Sequence, residues 1–169
     1  NIIRGDTSLE TLGKLRPAFE KKWGTITAGN ASPLTDGAAV TLVGDEERVR
    51  SLGLTPKVKI VDSLYVGVDP ADQLPIGPAI AIPLLLDRNK LKISDIDRFE
   101  VHEAFAAQVL SCLRGLESPD FCEAYFGRSE PYGAIPEDKL NVNGGALAIG
   151  HPFGATGARL IIAMTNELV

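Results

Sequence analysis

The sequence predicts an α/β layered domain, and three observations carry that prediction. Short apolar runs of strand length are bounded by Gly, Pro and Asp, and they alternate with segments whose apolar residues fall at helical spacing. Two histidines, His102 and His151, stand where a predicted strand hands over to a predicted helix. With 169 residues, 44% hydrophobic and 23% charged, the chain is long enough to fold around a buried core.

Taken in order, Thr7-Ser8-Leu9-Glu10 has the pattern of a capping box, with Glu10 reaching back to the Thr7 amide. A short helix through Leu9, Leu12 and Leu15 should follow and stop at Pro17. A loop at 28–33 and the pair Asp36-Gly37 precede the apolar run 38–43, read as a buried strand. Asp45 caps a helix that Gly53 ends. Residues 57–68 alternate Val58 and Ile60 with charged neighbours and read as a strand ending at Asp69-Pro70. A helix is placed at 83–89 with Pro83 in its first turn, where the missing N–H is harmless.

Residues 96–102 read as a strand, and 104–116 as a helix carrying Phe105, Val109, Cys112, Leu113 and Leu116. Residues 117–138 read as an irregular excursion, 140–149 as a strand broken by glycines, and 155–168 as an amphipathic helix. The elements begin without a clear first strand and end on a helix, so the chain reads as part of something larger.

The net charge of −5 argues against nucleic acid or an anionic membrane surface as partner, because both select clustered Lys and Arg. No apolar run reaches membrane-spanning length and no signal peptide is recognised, which predicts a protein that is not secreted. Two cysteines, Cys112 and Cys122, are too few for a disulfide framework and suggest a reducing setting. Only two imidazoles are available, neither beside a ligand-spaced pair, so no metal site is expected.

The chemistry concentrates in Gly150-His151-Pro152, followed by Gly154, Thr156 and Gly157. Glycines let a ligand approach the backbone, and free amides at a helix start favour developing negative charge. His151 is therefore read as a general base or an oxyanion donor, against the plainer reading of a histidine satisfied in a loop. Neither GxGxxG nor GxxxxGK[ST] is present. His102-Glu103-Ala104-Phe105 occupies an equivalent junction, where open α/β sheets place their ligand sites, so the two histidines suggest one site.

These residues resemble thiolases. Gly144-Gly145, Gly150-His151-Pro152 and Thr156-Gly157-Ala158-Arg159 look like that family's histidine motif. Thr27-Ala28-Gly29-Asn30-Ala31-Ser32 with Asp36-Gly37-Ala38-Ala39 resembles its pantetheine-contacting loop, and His102-Glu103-Ala104-Phe105 a third signature. Many thiolases carry Asn at the position of His102. The His-Glu-Ala-Phe form, the stretch Ile3-Arg4-Gly5-Asp6-Thr7-Ser8-Leu9 and the insertion 118–138 look like the thiolase subunits of fatty-acid β-oxidation (trifunctional) complexes.

The resemblance implies the thiolase fold, an αβαβα layered sandwich. Residues 1–45 would end the N-terminal half, and 46–169 would form a C-terminal domain without its final strands. It implies thiolytic cleavage of 3-ketoacyl-CoA through a cysteine, an acyltransferase reaction with CoA and acyl-CoA as substrates and no permanently bound cofactor.

His151 would keep that cysteine thiolate-competent and donate toward a thioester oxygen, and His102 would complete the donor pair. Ala31 and Ser32 would run along pantetheine, Phe105 would line the channel and Gly154 would permit close approach, although a tight turn or plain core would also account for these residues. Glu103 either orients a neighbour or completes a helix start.

Cys112 and Cys122 match neither of the family's cysteine motifs, so the 169 residues alone are expected to be inert and prone to associate. A homodimer is implied, with a hydratase/dehydrogenase subunit as a further candidate partner, in bacterial cytoplasm or mitochondria. A biosynthetic acetyl-CoA acetyltransferase and a non-catalytic CoA-binding module are the alternative readings.

Overall fold

A computed structural model describes residues 4–169; Ile3, part of the resemblance at 3–9, lies outside the described residues. Helix α1 (Leu9–Gly13) is capped one residue later than the sequence suggests. Ser8 accepts from the Thr11 amide, and Thr11 returns a bond to the Ser8 amide at 3.0 Å. Thr7 is drawn off because its hydroxyl donates to the Arg4 carbonyl at 3.0 Å, and Glu10 pairs with Lys14 instead of the cap. Helix α2 (Glu46–Ser51) forms as expected, with Asp45 accepting from the Arg48 amide and Gly53 left-handed at φ 74°.

The two predicted strands at 38–43 and 57–68 are the main departure. Neither segment forms regular secondary structure, and among the described residues neither joins a ladder; the pairing consists of three isolated bridges, Pro17–Thr27, Ala31–Phe105 and Phe99–Leu140. A strand exists only through its neighbours, and without them its apolar face stays in water: Val40 is 87% exposed and Leu42 80%. The chain accordingly exposes 11825 Å², against roughly 8,000 Å² for a compact monomer of this mass. Residues 57–68 are nevertheless tethered, because Asp62 accepts from Arg88 Nε at 2.7 Å and from Asn89 at 2.8 Å.

The core is helical. Helix α3 (Pro70–Gln73) leads through a 3-10 turn into α4 (Gly77–Asn89), six residues longer at its start than predicted. Pro78 takes the harmless first-turn place, while Pro83 sits inside the helix, its ring wholly buried. Burial offsets the hydrogen bond that Pro83 cannot donate.

Helix α4 packs on α5 (Ala106–Glu117), whose Val109, Cys112 and Leu116 form a stripe at positions i, i+3 and i+7. Leu86, Ile93, Phe99, Leu116 and Ile135 make one cluster, and Ile76, Ala79 and Cys112 a second. Each fully buried large side chain here contributes about 1.5–3 kcal/mol.

The excursion 117–138 contains a helix the sequence reading omits, α6 (Pro119–Phe126), capped by Ser118 and closed by left-handed Gly127. Residues 96–102 make a single parallel bridge at Phe99–Leu140 instead of a strand. Residues 140–149 are not a strand: they turn at Asn141 (φ 45°) and Gly144 (φ 72°) and wind into the short α7 (Ala146–Ile149). Helix α8 (Phe153–Leu168) closes the described chain. No helix of the described residues is long and apolar enough to cross a membrane.

Candidate active site

His102 and His151 come together. Their ring centroids lie 4.1 Å apart, tilted by 46°. His102 sits between the Phe99–Leu140 bridge and α5, while His151 lies just before α8, so each imidazole is placed by an approach to a helix start. The loop 30–35 binds the two junctions together. Ser32 N–H donates to the Ala104 carbonyl and Ala106 N–H to the Asn30 carbonyl, each at 2.9 Å, and His151 N–H donates to the Pro33 carbonyl at 3.0 Å.

Thr156 orients the His151 ring. Its hydroxyl is buried, lies 3.1 Å from the Pro152 carbonyl and 2.7 Å from His151 Nδ1. A hydroxyl has one proton; if it goes to the carbonyl, the oxygen accepts from Nδ1–H and Nε2 is left with its lone pair. This tautomer is assigned from the bonding pattern. Gly150 is required at this corner, because at φ 98° and ψ 172° an added Cβ would sit 2.4 Å from Thr35 Cγ2 and Oγ1.

His102 is held differently. Both its ring nitrogens are buried without a hydrogen-bond partner among the described residues. Burial first, then the neighbouring His151 and Arg159, push its pKa below the ordinary histidine value, with Glu103 pulling weakly the other way. Burial thus favours the neutral form of His102, and a donor to a neutral or anionic oxygen requires only one N–H.

Glu103 is not in the first turn of α5, which begins at Ala106; its carboxylate accepts from Asn141 Nδ2 at 2.9 Å and from the Leu147 amide at 3.2 Å. Of the two roles open to it in the sequence, orienting a neighbour is the one the structure supports.

Among the predicted ligand-contacting residues, Ala31 pairs directly with Phe105. Phe105 meets the Phe19 ring at 6.3 Å, and both line a cavity of about 320 Å³ with Ile26, Ile76 and Gln108. A Cβ at Gly154 would meet open space, so no neighbour in the chain demands glycine there. Asn143 is exposed and bonds to Glu167 near the end of α8.

Cys112 and Cys122 are buried in helix packing, and burial raises the Cys112 thiol pKa, the reverse of what a thiolate nucleophile needs. Sequence reading passed over Asn141 and gave Thr156 no role; each hydrogen bond they make is visible only once the chain is folded.

Comparison with known proteins places the chain in a family. The family models for the thiolase C-terminal and N-terminal domains match residues 54–169 and 1–47. The chain is 48% identical to the mitochondrial trifunctional enzyme subunit beta of Rattus norvegicus over 96% of its length, which is 34% of that protein. It is 53% identical to a probable 3-ketoacyl-CoA thiolase of Caenorhabditis elegans over 99% of its length and 37% of that protein.

The crystal structure of human mitochondrial 3-ketoacyl-CoA thiolase superposes with a TM-score of 0.79 at 37% identity, covering 99% of this chain and 38% of that one. The dimeric peroxisomal thiolase of Saccharomyces cerevisiae gives the same TM-score at 38% identity, covering 98% and 38%. The chain spans about a third of the length of the curated relatives it matches. Its fold is therefore that of the corresponding part of a thiolase, helix-rich because so few strand pairings close within it, and the chain belongs to the thiolase family.

Proposed function

We propose that this chain supplies the paired histidines of a 3-ketoacyl-CoA thiolase active site. The observation that carries the reading is the His102–His151 pair at 4.1 Å, with His151 Nε2 freed by the Thr156 bond and His102 neutral. In the reaction a cysteine thiolate adds to the 3-keto carbonyl, and the bond between C2 and C3 breaks. The acetyl-CoA carbanion takes a proton, and CoA sulfur then displaces the acyl group from the cysteine.

His151 Nε2 draws the thiol proton and returns N–H character to the oxygen that gains charge. His102 offers a second donor, of the kind worth about 3–4 kcal/mol in an oxyanion hole. Because Cys112 and Cys122 are buried in helix packing, the nucleophile comes from elsewhere in the working protein.

Coenzyme A is the substrate rather than a resident cofactor; one neighbouring structure, human mitochondrial 3-ketoacyl-CoA thiolase, is a complex with CoA. Ala31 and Ser32 run along pantetheine, Phe105 faces the acyl or pantetheine channel, and Gly154 leaves room at the mouth. Residues 1–45 close an N-terminal half and 46–169 form the C-terminal one, with 38–43 and 57–68 serving as sheet strands once their neighbours are present.

The working protein serves fatty-acid β-oxidation, in mitochondria or bacterial cytoplasm, as a homodimer that associates with a hydratase/dehydrogenase subunit; relatives named as a mitochondrial trifunctional enzyme subunit beta and as a 3-ketoacyl-CoA thiolase support the mitochondrial and thiolytic parts of that reading. The test is acetyl-CoA release from 3-ketoacyl-CoA by the full-length protein with free CoA as acceptor, profiled by chain length. Turnover on medium or long chains is the expected result. Restriction to acetoacetyl-CoA would favour biosynthetic use, and no turnover would favour a CoA-binding module.

A further inference from the structure

Asn141 continues a β-ladder after the backbone has left it. At the parallel Phe99–Leu140 bridge the main chain makes two bonds, Phe99 N–H to the Lys139 carbonyl and Asn141 N–H to the Phe99 carbonyl, each 2.8 Å. Asn141 then turns left-handed at φ 45°, and the ladder would end there. Its side chain makes the next two bonds instead: Val101 N–H donates to Oδ1 at 2.8 Å, and Nδ2 donates to the Val101 carbonyl at 2.9 Å. A carboxamide carries the same donor and acceptor as a peptide group, so it substitutes for the missing strand residue.

The remaining Nδ2 proton goes to Glu103 Oε1 at 2.9 Å, while Glu103 Oε2 accepts from the Leu147 amide at 3.2 Å. One side chain thereby holds both chain neighbours of His102, and Glu103 ties them to the segment that leads into His151. The fit is close: a Cβ on Gly145 would lie 2.6 Å from the Glu103 carboxylate carbon and Oε2.

We infer that Asn141 is a positioning residue that sets the His102 imidazole against His151 and acts in part through Glu103. The inference rests on the thiolase reading above for its kinetic readout but not for its geometry. His102 itself makes no side-chain hydrogen bond among the described residues, so its placement depends on its backbone neighbours.

The test compares Asn141→Asp, Glu103→Gln and the double variant in the full-length protein. Asn141→Asp removes both donors and sets two carboxylates face to face. Glu103→Gln puts a donor against a donor, at Asn141 or at the Leu147 amide. In the double variant the carboxamide introduced at position 103 donates to the carboxylate introduced at position 141 and still accepts from the Leu147 amide, which restores the link to position 103 with reversed polarity but not the bond to the Val101 carbonyl.

Each single change should lower kcat by about tenfold or more, since misplacement on the ångström scale has costs of that order. Each should also displace the His102 ring signals in NMR of histidine-labelled protein. The double variant should exceed Asn141→Asp in kcat and return the His102 signals part of the way toward wild type, while the Val101 carbonyl stays without its donor. Singles with wild-type kcat and unmoved His102 signals would overturn the inference, as would a double variant no better than the worse single.

If Asn141→Asp does not fold, Glu103→Gln against wild type decides in the same way. If wild-type protein shows no thiolysis, the functional reading fails, and the His102 signals alone decide the role of Asn141.

Discussion

Replacing Thr156 with Val isolates a single hydrogen bond at the catalytic pair. The substitution keeps the shape of a side chain only 3% exposed and removes its hydroxyl. Two bonds are lost, to His151 Nδ1 and to the Pro152 carbonyl, but the carbonyl keeps the amides of Ala155 at 2.9 Å and Thr156 at 3.0 Å. The cost therefore falls on Nδ1–H alone, and one such bond contributes about 1 kcal/mol net. In a full-length protein about three times this length, as the relatives are, that corresponds to a fall in melting temperature of about 1 °C. The same 1 kcal/mol, taken from the bias toward the Nδ1–H tautomer, corresponds to about a fivefold loss in kcat.

The assay pairs thermal unfolding of the full-length variant with NMR of the His151 ring and thiolysis kinetics. An unchanged tautomer with unchanged kcat would refute the role assigned to Thr156. A loss of a hundredfold or more would mean that the hydroxyl touches substrate itself, which the geometry does not provide for.

Two further outcomes follow from the same corner of the molecule. Gly150→Ala should destabilise by about 2–6 kcal/mol, combining glycine-only backbone geometry with overpacking against Thr35; adding Thr35→Ala should recover only the packing part in denaturant unfolding, and full recovery would contradict the backbone argument. The depressed pKa of His102 also has a stability consequence.

Between the folded and unfolded pKa values the unfolded chain binds more protons, so stability rises with pH. The neutral-His102 contribution is complete above about pH 6.5 and is lost as pH falls through the lower folded value. His102→Gln should therefore lessen the difference in urea midpoint between pH 8 and pH 5, and an unchanged difference would count against burial of His102.

The fold was legible where a local signal decides it. Asp45 and Gly53 bound α2 as their residue types require, and α5 follows its apolar stripe. Helix α6 carried readable marks, Ser118-Pro119 at its start and Gly127 at its end, but its surroundings are rich in Gly and Pro and hid them. The segments 38–43 and 57–68 form no ladder among the described residues for another reason. Alternation reports a face suited to a sheet, while the ladder depends on partners that the periodicity does not name.

At the site, the two histidines and the loop through Ala31 were legible from motif order. Asn141 was not, because its role depends on a left-handed turn that converts a side chain into a ladder rung. Asn143 shows the converse: it stands next to the glycine pair of the histidine motif, yet its side chain bonds to Glu167.

The central claim is that His102 and His151 act as one unit on one thioester. It is tested most directly by thiolysis rates of His151→Ala, His102→Ala and the double variant in the full-length protein. His151→Ala should lose about 10²–10⁴-fold in kcat, the usual worth of a positioned acid–base group. The double variant should fall little further, because residues that work as a unit are strongly non-additive. Near-wild-type turnover by His151→Ala, or losses that simply multiply in the double variant, would contradict it.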